Sequence, residues 1–180
     1  MKDIALHIMD IAQNSVRATA TEIGITIEES MSENILSVTI TDNGSGMSEE
    51  VVKKAVDPFY TSRTTRKVGM GLPLLKMNAE MSGGGLEIFS EPGKGTEVKA
   101  TFMHDHIDRP PMGDLGGTIA LLMTGNPAID FFFRYSYEEK EWDLSTPDLK
   151  DALGETPVND LKVVKYLKEM INENINELKY

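Results

Sequence analysis

The chain has 180 residues, 40% hydrophobic and 26% charged, with no cysteine and a formal net charge of -11 at pH 7. This is the composition of a folded chain with a sizeable core, sufficient for one domain or one domain with an extension. The lack of cysteine excludes disulfides, thiolate zinc sites and a thiol nucleophile. The acidic balance disfavours nonspecific attraction to nucleic acid or to an anionic membrane surface. The start, MKDIALHIMDIAQNS, interrupts its apolar residues with Asp, His and Gln, and no stretch is long and apolar enough to cross a bilayer. A cytoplasmic protein is expected, with one local basic cluster, SRTTRK, at residues 62–67.

The spacing predicts a helix over residues 3–18. At about 100° per residue, Asp3, His7, Asp10, Asn14 and Arg17 form one narrow polar stripe, and the rest of the circumference is mostly apolar. A surface helix usually has a broader polar side, so this one is expected to be packed nearly all round, with its stripe facing a cleft. TEIGITIE (21–28) and ILSVTIT (35–41) alternate with period two and predict a hairpin. DNGSGM is a glycine-rich turn, and SEEVVKKAV is a short helix capped by Ser48.

Residues 57–71, DPFYTSRTTRKVGMG, follow neither period and are read as a lid carrying the basic cluster. LPLLKMNAEMS is a helix with Pro73 in its first turn and glycines 83–85 at its end. LEIFS and TEVKATF form a second hairpin. After Phe102 the segment MHDHIDRPPMGDLGG reads as a connection. An apolar helix near 115–124, a hairpin of AIDFFFRYSY with EKEWDLS, and a final helix near 157–178 complete the chain. FFFRY and Trp142 are expected to pack the C-terminal core.

Three places carry candidate chemistry. The parity of Leu36, Val38 and Ile40 brings Asp42 onto the same face as its strand ends, where a carboxylate must find donors. Either an adenine amino group or amides of its own turn supply them. Gly44 and Gly46 permit close approach, by a flat base or simply within a tight turn. GMGLPLL places amides at a helix start, where phosphate binds, but the chain lacks a P-loop string and the glycines do not follow a strand. His104, Asp105, His106 and Asp108 are read as metal ligands or as solvated capping groups.

In order, DIAQNSVRATA, DNGSGM, DPFYTSR, GMGLPLL and GKGTEVKATF resemble the successive boxes of the Bergerat-fold ATPases, the superfamily of DNA gyrase, heat-shock chaperones, mismatch-repair ATPases and histidine kinases. The resemblance covers approximately residues 4–103. It implies a two-layer α/β sandwich, with a mixed, largely antiparallel sheet, helices on one face, and nucleotide between helices and lid. Residues 1–103 would form the ATP-binding domain and 104–180 an α/β extension packed on it.

The same resemblance implies ATP and Mg²⁺ as ligands, with Asn14 on the metal and Asp42 on the adenine amino group. Gly44 and Gly46 would shape the base pocket, Gly69 and Gly71 would contact phosphates, and Thr96 would support Asp42. Met47, Met70 and Leu72 fall inside these boxes and join the nucleotide set. Arg17 and Arg63 match cation positions near the phosphates, and Arg63, with Arg66 or Lys67, would stabilise transferring charge. Asp10 stands where hydrolysing members carry Glu. Its shorter side chain implies an intervening water or a shifted helix, so the residues support binding more directly than hydrolysis.

The short lid and DPFYTSR resemble histidine kinases, while Asn14, Ser15 and the following ATATEIGITI resemble the mismatch-repair group; charge favours the kinase-like branch. None of His7, His104 and His106 stands in the context of a phosphoacceptor, so transfer is expected in trans to a separate partner protein. The alternative is an ATP-gated switch that binds a partner with little turnover. The acidic surface and the exposed face of the last helix fit a monomer or a dimer equally.

Overall fold

The computed structural model describes residues 2–59 and 70–180. Its elements in chain order are α1 (Ile4–Arg17), β1 (Glu22–Ser30), β2 (Ile35–Asp42), α2 (Glu49–Ala55), α3 (Gly71–Met81), β3 (Gly85–Glu91), β4 (Gly95–Met103), α4 (Leu115–Gly125), β5 (Asp130–Tyr137), β6 (Lys140–Ser145), α5 (Thr146–Leu153) and α6 (Leu161–Lys179). The six strands form one sheet in the order β3-β4-β2-β1-β5-β6. Among the described residues only β1 and β5 pair in parallel; the other neighbours are antiparallel. The mixed, largely antiparallel sheet expected from the sequence is the one observed.

Register explains the two layers. Ile88, Val98, Ile40, Ile25, Phe133 and Leu144 lie side by side across all six strands, and the neighbouring inward row is Leu86, Ala100, Val38, Ile27, Tyr135 and Trp142. With Ile4, Ile8 and Ile11 of α1, Leu75 of α3, Ile119 of α4 and Ile171 of α6, these side chains make one core. Each fully buried one contributes on the order of 2 kcal/mol. The opposite parity gives a row of Glu87, Lys99, Thr39, Thr26, Arg134 and Asp143. Its end pairs juxtapose opposite charges, as a solvated sheet face allows.

Phe131, Phe133 and Tyr135 are buried, and Trp142 meets the Phe133 ring edge-on. The helix α5 is absent from the sequence reading, although Ser145 caps it and a proline sits in its first turn. The last helix begins at Leu161, four residues later than expected, capped by Asp160, which accepts from Lys162 N.

β1 runs two residues beyond the expected Glu28, which carries Glu29 onto the inward face beside Leu36 and Tyr137. This carboxylate is 6% exposed. It accepts from the Tyr135 hydroxyl, from Lys179 Nζ at 2.8 Å and from His104 Nε2 at 3.1 Å. Lys179 also lies over the rings of Tyr135 and Tyr137. The cluster thus ties β1 to β5, to the end of α6 and to the connection after β4.

Burial pushes the Glu29 carboxyl up, but the bonds from Lys179, Tyr135 and His104 outweigh it and hold the group below its ordinary value of 4.5. A depressed folded pKa means stability that is fully present above the unfolded value and is lost as pH falls through the folded one. Glu29→Gln is therefore expected to cost about 3 kcal/mol at neutral pH and to flatten the acid limb of stability below 4.5. Urea unfolding followed across that range checks both; a variant with the wild-type acid limb would contradict this account.

Candidate functional site

The helix α1 is fixed at its start by Asp3, whose carboxylate accepts from Leu6 N at 2.8 Å. Its polar stripe divides in two. His7 is buried, and its Nε2 accepts from the Asn78 amide of α3 at 2.8 Å, so the ring proton sits on Nδ1, which has no partner among the described residues. Burial, the largest cause, holds this imidazole below its usual pKa and hence neutral. The cleft expected along the whole stripe is therefore closed at His7 by α3, and only the later part of the stripe is open.

One turn on, Asp10 Oδ2 is enclosed and lacks a hydrogen-bond partner among the described residues. It abuts the backbone of Gly71, where an added Cβ would lie 1.7 Å from it. Asn14 Oδ1 accepts from Arg17 Nη1 at 2.9 Å, and Arg17 is exposed. Thus the first turn of α3 rests on the Asp10 level of α1. Met70 stands at the helix's N-cap with no side-chain cap bond among the described residues, leaving that end's amides to other partners. Leu72 packs on the core.

At the end of β2 the Asp42 carboxylate takes one donor on each oxygen: Ser15 Oγ to Oδ2 at 2.5 Å and Gly44 N to Oδ1 at 2.9 Å. The turn that follows is wedged into the protein. At Gly44 a Cβ would meet Ala18 O at 2.7 Å, and at Gly46, with φ of 65°, it would meet Glu91 O at 2.0 Å. Protein backbone occupies the space these glycines leave, which is itself a sufficient reason for both. Ser45 N donates to Ala18 O and Gly93 N to Ser45 O, at 2.9 and 2.7 Å, so the turn bridges the end of α1 and the β3-β4 hairpin. Asn43 adds a clamp on the start of β1, its Oδ1 accepting from Thr21 N and Glu22 N.

Thr96 is the direct cross-strand neighbour of Asp42, and Ser90 that of Thr96. These three, with Ile88 and Val52 of α2, line an open groove at this end of the sheet. Met47 N donates to Ser90 Oγ at 2.8 Å.

The structure thus brings Asp42, Gly44, Gly46, Met47 and Thr96 together, Asn14 with Arg17, and Asp10 with Gly71. Arg63, Arg66, Lys67 and Gly69 lie outside the described residues. Two contributors were given no role from sequence. Ser15 continues the arc of Ile8, Ile11 and Ala12, and Ser90 shares the inward parity of Leu86 and Ile88; each is a polar residue where the period calls for an apolar one. In the MHDHID segment, His104 bonds Glu29, Asp105 accepts from the Asn34 amide at 2.8 Å and His106 Nδ1 accepts from Asp108 N at 3.1 Å. Among the described residues no three His, Asp or Glu side chains converge as a metal site would require.

One end of the sheet thus carries a polar row of Asp42, Thr96 and Ser90 on an α/β sandwich. Residues 2–106 match the family described as "Histidine kinase-, DNA gyrase B-, and HSP90-like ATPase", and the chain belongs to that family. Among curated relatives, the sensor protein SrrB of Staphylococcus aureus (strain NCTC 8325 / PS 47) is 38% identical over 101 residues, covering 53% of this chain and 17% of the relative. The non-motile and phage-resistance protein of Caulobacter vibrioides is 29% identical over 111 residues, 57% of this chain and 13% of that protein. The chain therefore spans less than a fifth of the length of these relatives.

Among solved structures, the N-terminal domain of a DNA repair protein superposes with a TM-score of 0.58 at 16% identity, covering 81% of this chain and 52% of that one. This likeness is one of fold. It covers a larger share than residues 2–106 make up, so the shared architecture reaches into the elements after β4.

Gly71→Ala forces its methyl onto the Asp10 carboxylate and is expected to lower stability by about 1–3 kcal/mol. Chemical denaturation checks it; an unchanged midpoint would show that Asp10 moves aside without cost.

Proposed function

We propose that the chain binds Mg²⁺-ATP in this groove and transfers the γ-phosphoryl group to a separate protein, or to water when no acceptor is present. The observation that carries the reading is the Asp42 carboxylate, held by Ser15 and Gly44 beside Thr96 at the groove. Each of its oxygens has taken one donor and keeps a lone pair, so the group is oriented and still able to accept from an adenine amino group.

The donor set fits the metal. Mg²⁺ takes oxygen ligands and keeps most of its waters and substrate phosphates, so a single carboxamide oxygen suffices. Asn14 Oδ1 has one donor, Arg17, and one lone pair left. Bound there, the ion would neutralise phosphate charge. Arg17 has further N–H donors for phosphate, and the amides at Met70 and Gly71 suit an anion at a helix start. Gly69 is read as part of the same phosphate contact, and Arg63, with Arg66 or Lys67, as the cations that meet transferring charge. Asp10 is the proposed base.

The enclosure of Asp10 Oδ2 against Gly71 favours a second reading, in which ATP orders the lid and creates a partner surface with little turnover. No described helix is long and apolar enough to cross a membrane; the cytoplasmic setting is proposed from the cysteine-free composition. Residues 104–180 are read as an extension of the ATP-binding domain.

Single-turnover chemistry with γ-labelled ATP separates the readings: label on an added protein supports a kinase, free phosphate an ATPase, and retained ATP with the lid protected in hydrogen exchange the switch. Asp42→Asn is expected to abolish most ATP affinity with the fold intact by circular dichroism; near-normal binding would refute the adenine contact. Asn14→Ala is expected to weaken binding selectively when Mg²⁺ is present. Equal losses with and without the metal would argue against ligation.

A further inference from the structure

The polar row at the groove contains a proton-counting constraint. Ser90 Oγ makes three contacts: it accepts from Met47 N at 2.8 Å, lies 3.0 Å from Gly95 O and lies 2.8 Å from Thr96 Oγ1. A serine hydroxyl has one proton to give. Gly95 O is a carbonyl and only accepts, so the arrangement that makes all three contacts hydrogen bonds has Ser90 donating to Gly95 O and Thr96 donating to Ser90. The Thr96 proton is then turned away from any ligand, and Thr96 offers the groove lone pairs alone. Asp42, its cross-strand neighbour, is likewise an acceptor.

From this we infer that Ser90 is a positioning residue for base selection: by holding the Thr96 proton it makes the end of the groove an acceptor pair, which takes a 6-aminopurine and rejects a 6-oxopurine. Resting on the adenine reading of Asp42, the inference deepens it by separating affinity from discrimination. A 6-oxo group would bring a third acceptor against two, and an unpaired polar contact of that kind is what a polar site rejects most strongly. Without Ser90, the Thr96 hydroxyl is free to rotate and donate to that oxygen. The same serine ties Met47, in the glycine turn, to the β3-β4 hairpin, so it also steadies the wall on which Asp42 stands.

The test is the Kd of ATP and of ITP for wild type, Ser90→Ala, Ser90→Thr and Ser90→Cys, measured by calorimetry on the full chain with Mg²⁺. Wild type is expected to prefer ATP. Ser90→Ala should narrow the ITP-to-ATP ratio by a factor of about five to ten, the worth of one hydrogen bond. Ser90→Thr, which keeps the hydroxyl, should restore the ratio. Ser90→Cys keeps the size with a poor acceptor and should behave like Ala, so a poorly folded alanine variant does not decide the matter. Equal weakening of both nucleotides in the Ala and Cys variants would overturn the inference and leave Ser90 as a prop for the turn. Asp42→Asn, measured alongside, isolates the underlying reading. If it binds ATP normally, the base site itself is misassigned; if it loses ATP while Ser90→Ala keeps the wild-type ratio, only the role of Ser90 falls.

Discussion

A carboxylate that enters an apolar layer must be met by donors or it destabilises the layer, and the inward face of this sheet carries one at each end. At one end Asp42 is met by Ser15 and Gly44; at the other Glu29 is met by Tyr135, Lys179 and His104. Between them the inward rows are aliphatic and aromatic. The two ends differ in how they are closed. Glu29 is almost wholly buried among three side-chain partners, two of them on one oxygen, whereas Asp42 is half-buried with one donor on each oxygen and lies at an open groove. One chemical problem is solved by burial among partners at one end and by a partly solvated carboxylate at the other.

The glycine turn is the joint between these layers. Its second and fourth residues after Asp42, Gly44 and Gly46, are positions where a side chain would strike Ala18 O or Glu91 O, and Gly95, at φ of 108°, would strike Asp42 O. The end of α1, the turn and the β3-β4 hairpin are thereby locked at backbone distance, which keeps Ser15, Asp42, Thr96 and Ser90 in one row. Rigid placement of this kind is what selective recognition requires, since a donor or acceptor displaced by a fraction of an ångström loses most of its discrimination.

Most of the fold was legible because it rests on period. β1 to β4, the β5-β6 hairpin and the helices α1, α3, α4 and α6 all announce themselves by spacing, and the parity of Leu36, Val38 and Ile40 placed Asp42 at the strand end before any coordinates. What was not legible depends on partners far away in sequence. Ser15 reads as a lapse in an apolar arc until β2 is laid beside it, and Glu29 reads as a solvated residue past the end of a strand until β5 and α6 arrive. His7 belongs by spacing to the open stripe, yet Asn78 of α3 covers it. The helix α5 is eight residues long, too short for its period to register, and only its capping serine and proline hinted at it.

The parallel pairing of β1 with β5 also sets an order of events during synthesis. Met31 and Ser32, just past the far end of β1, bond to Glu138 across sequence separations of 107 and 106 residues. At ribosomal speeds that corresponds to a delay of about 5–20 s. For that interval the first hairpin has one flank without a neighbour, and the Glu29 carboxylate has neither the phenol nor the ammonium that will later neutralise it. Lys179 is emitted last of all these partners, so until the end of synthesis the Glu29 charge is left to solvent, and only the completed α6 lets it enter the interior still ionised.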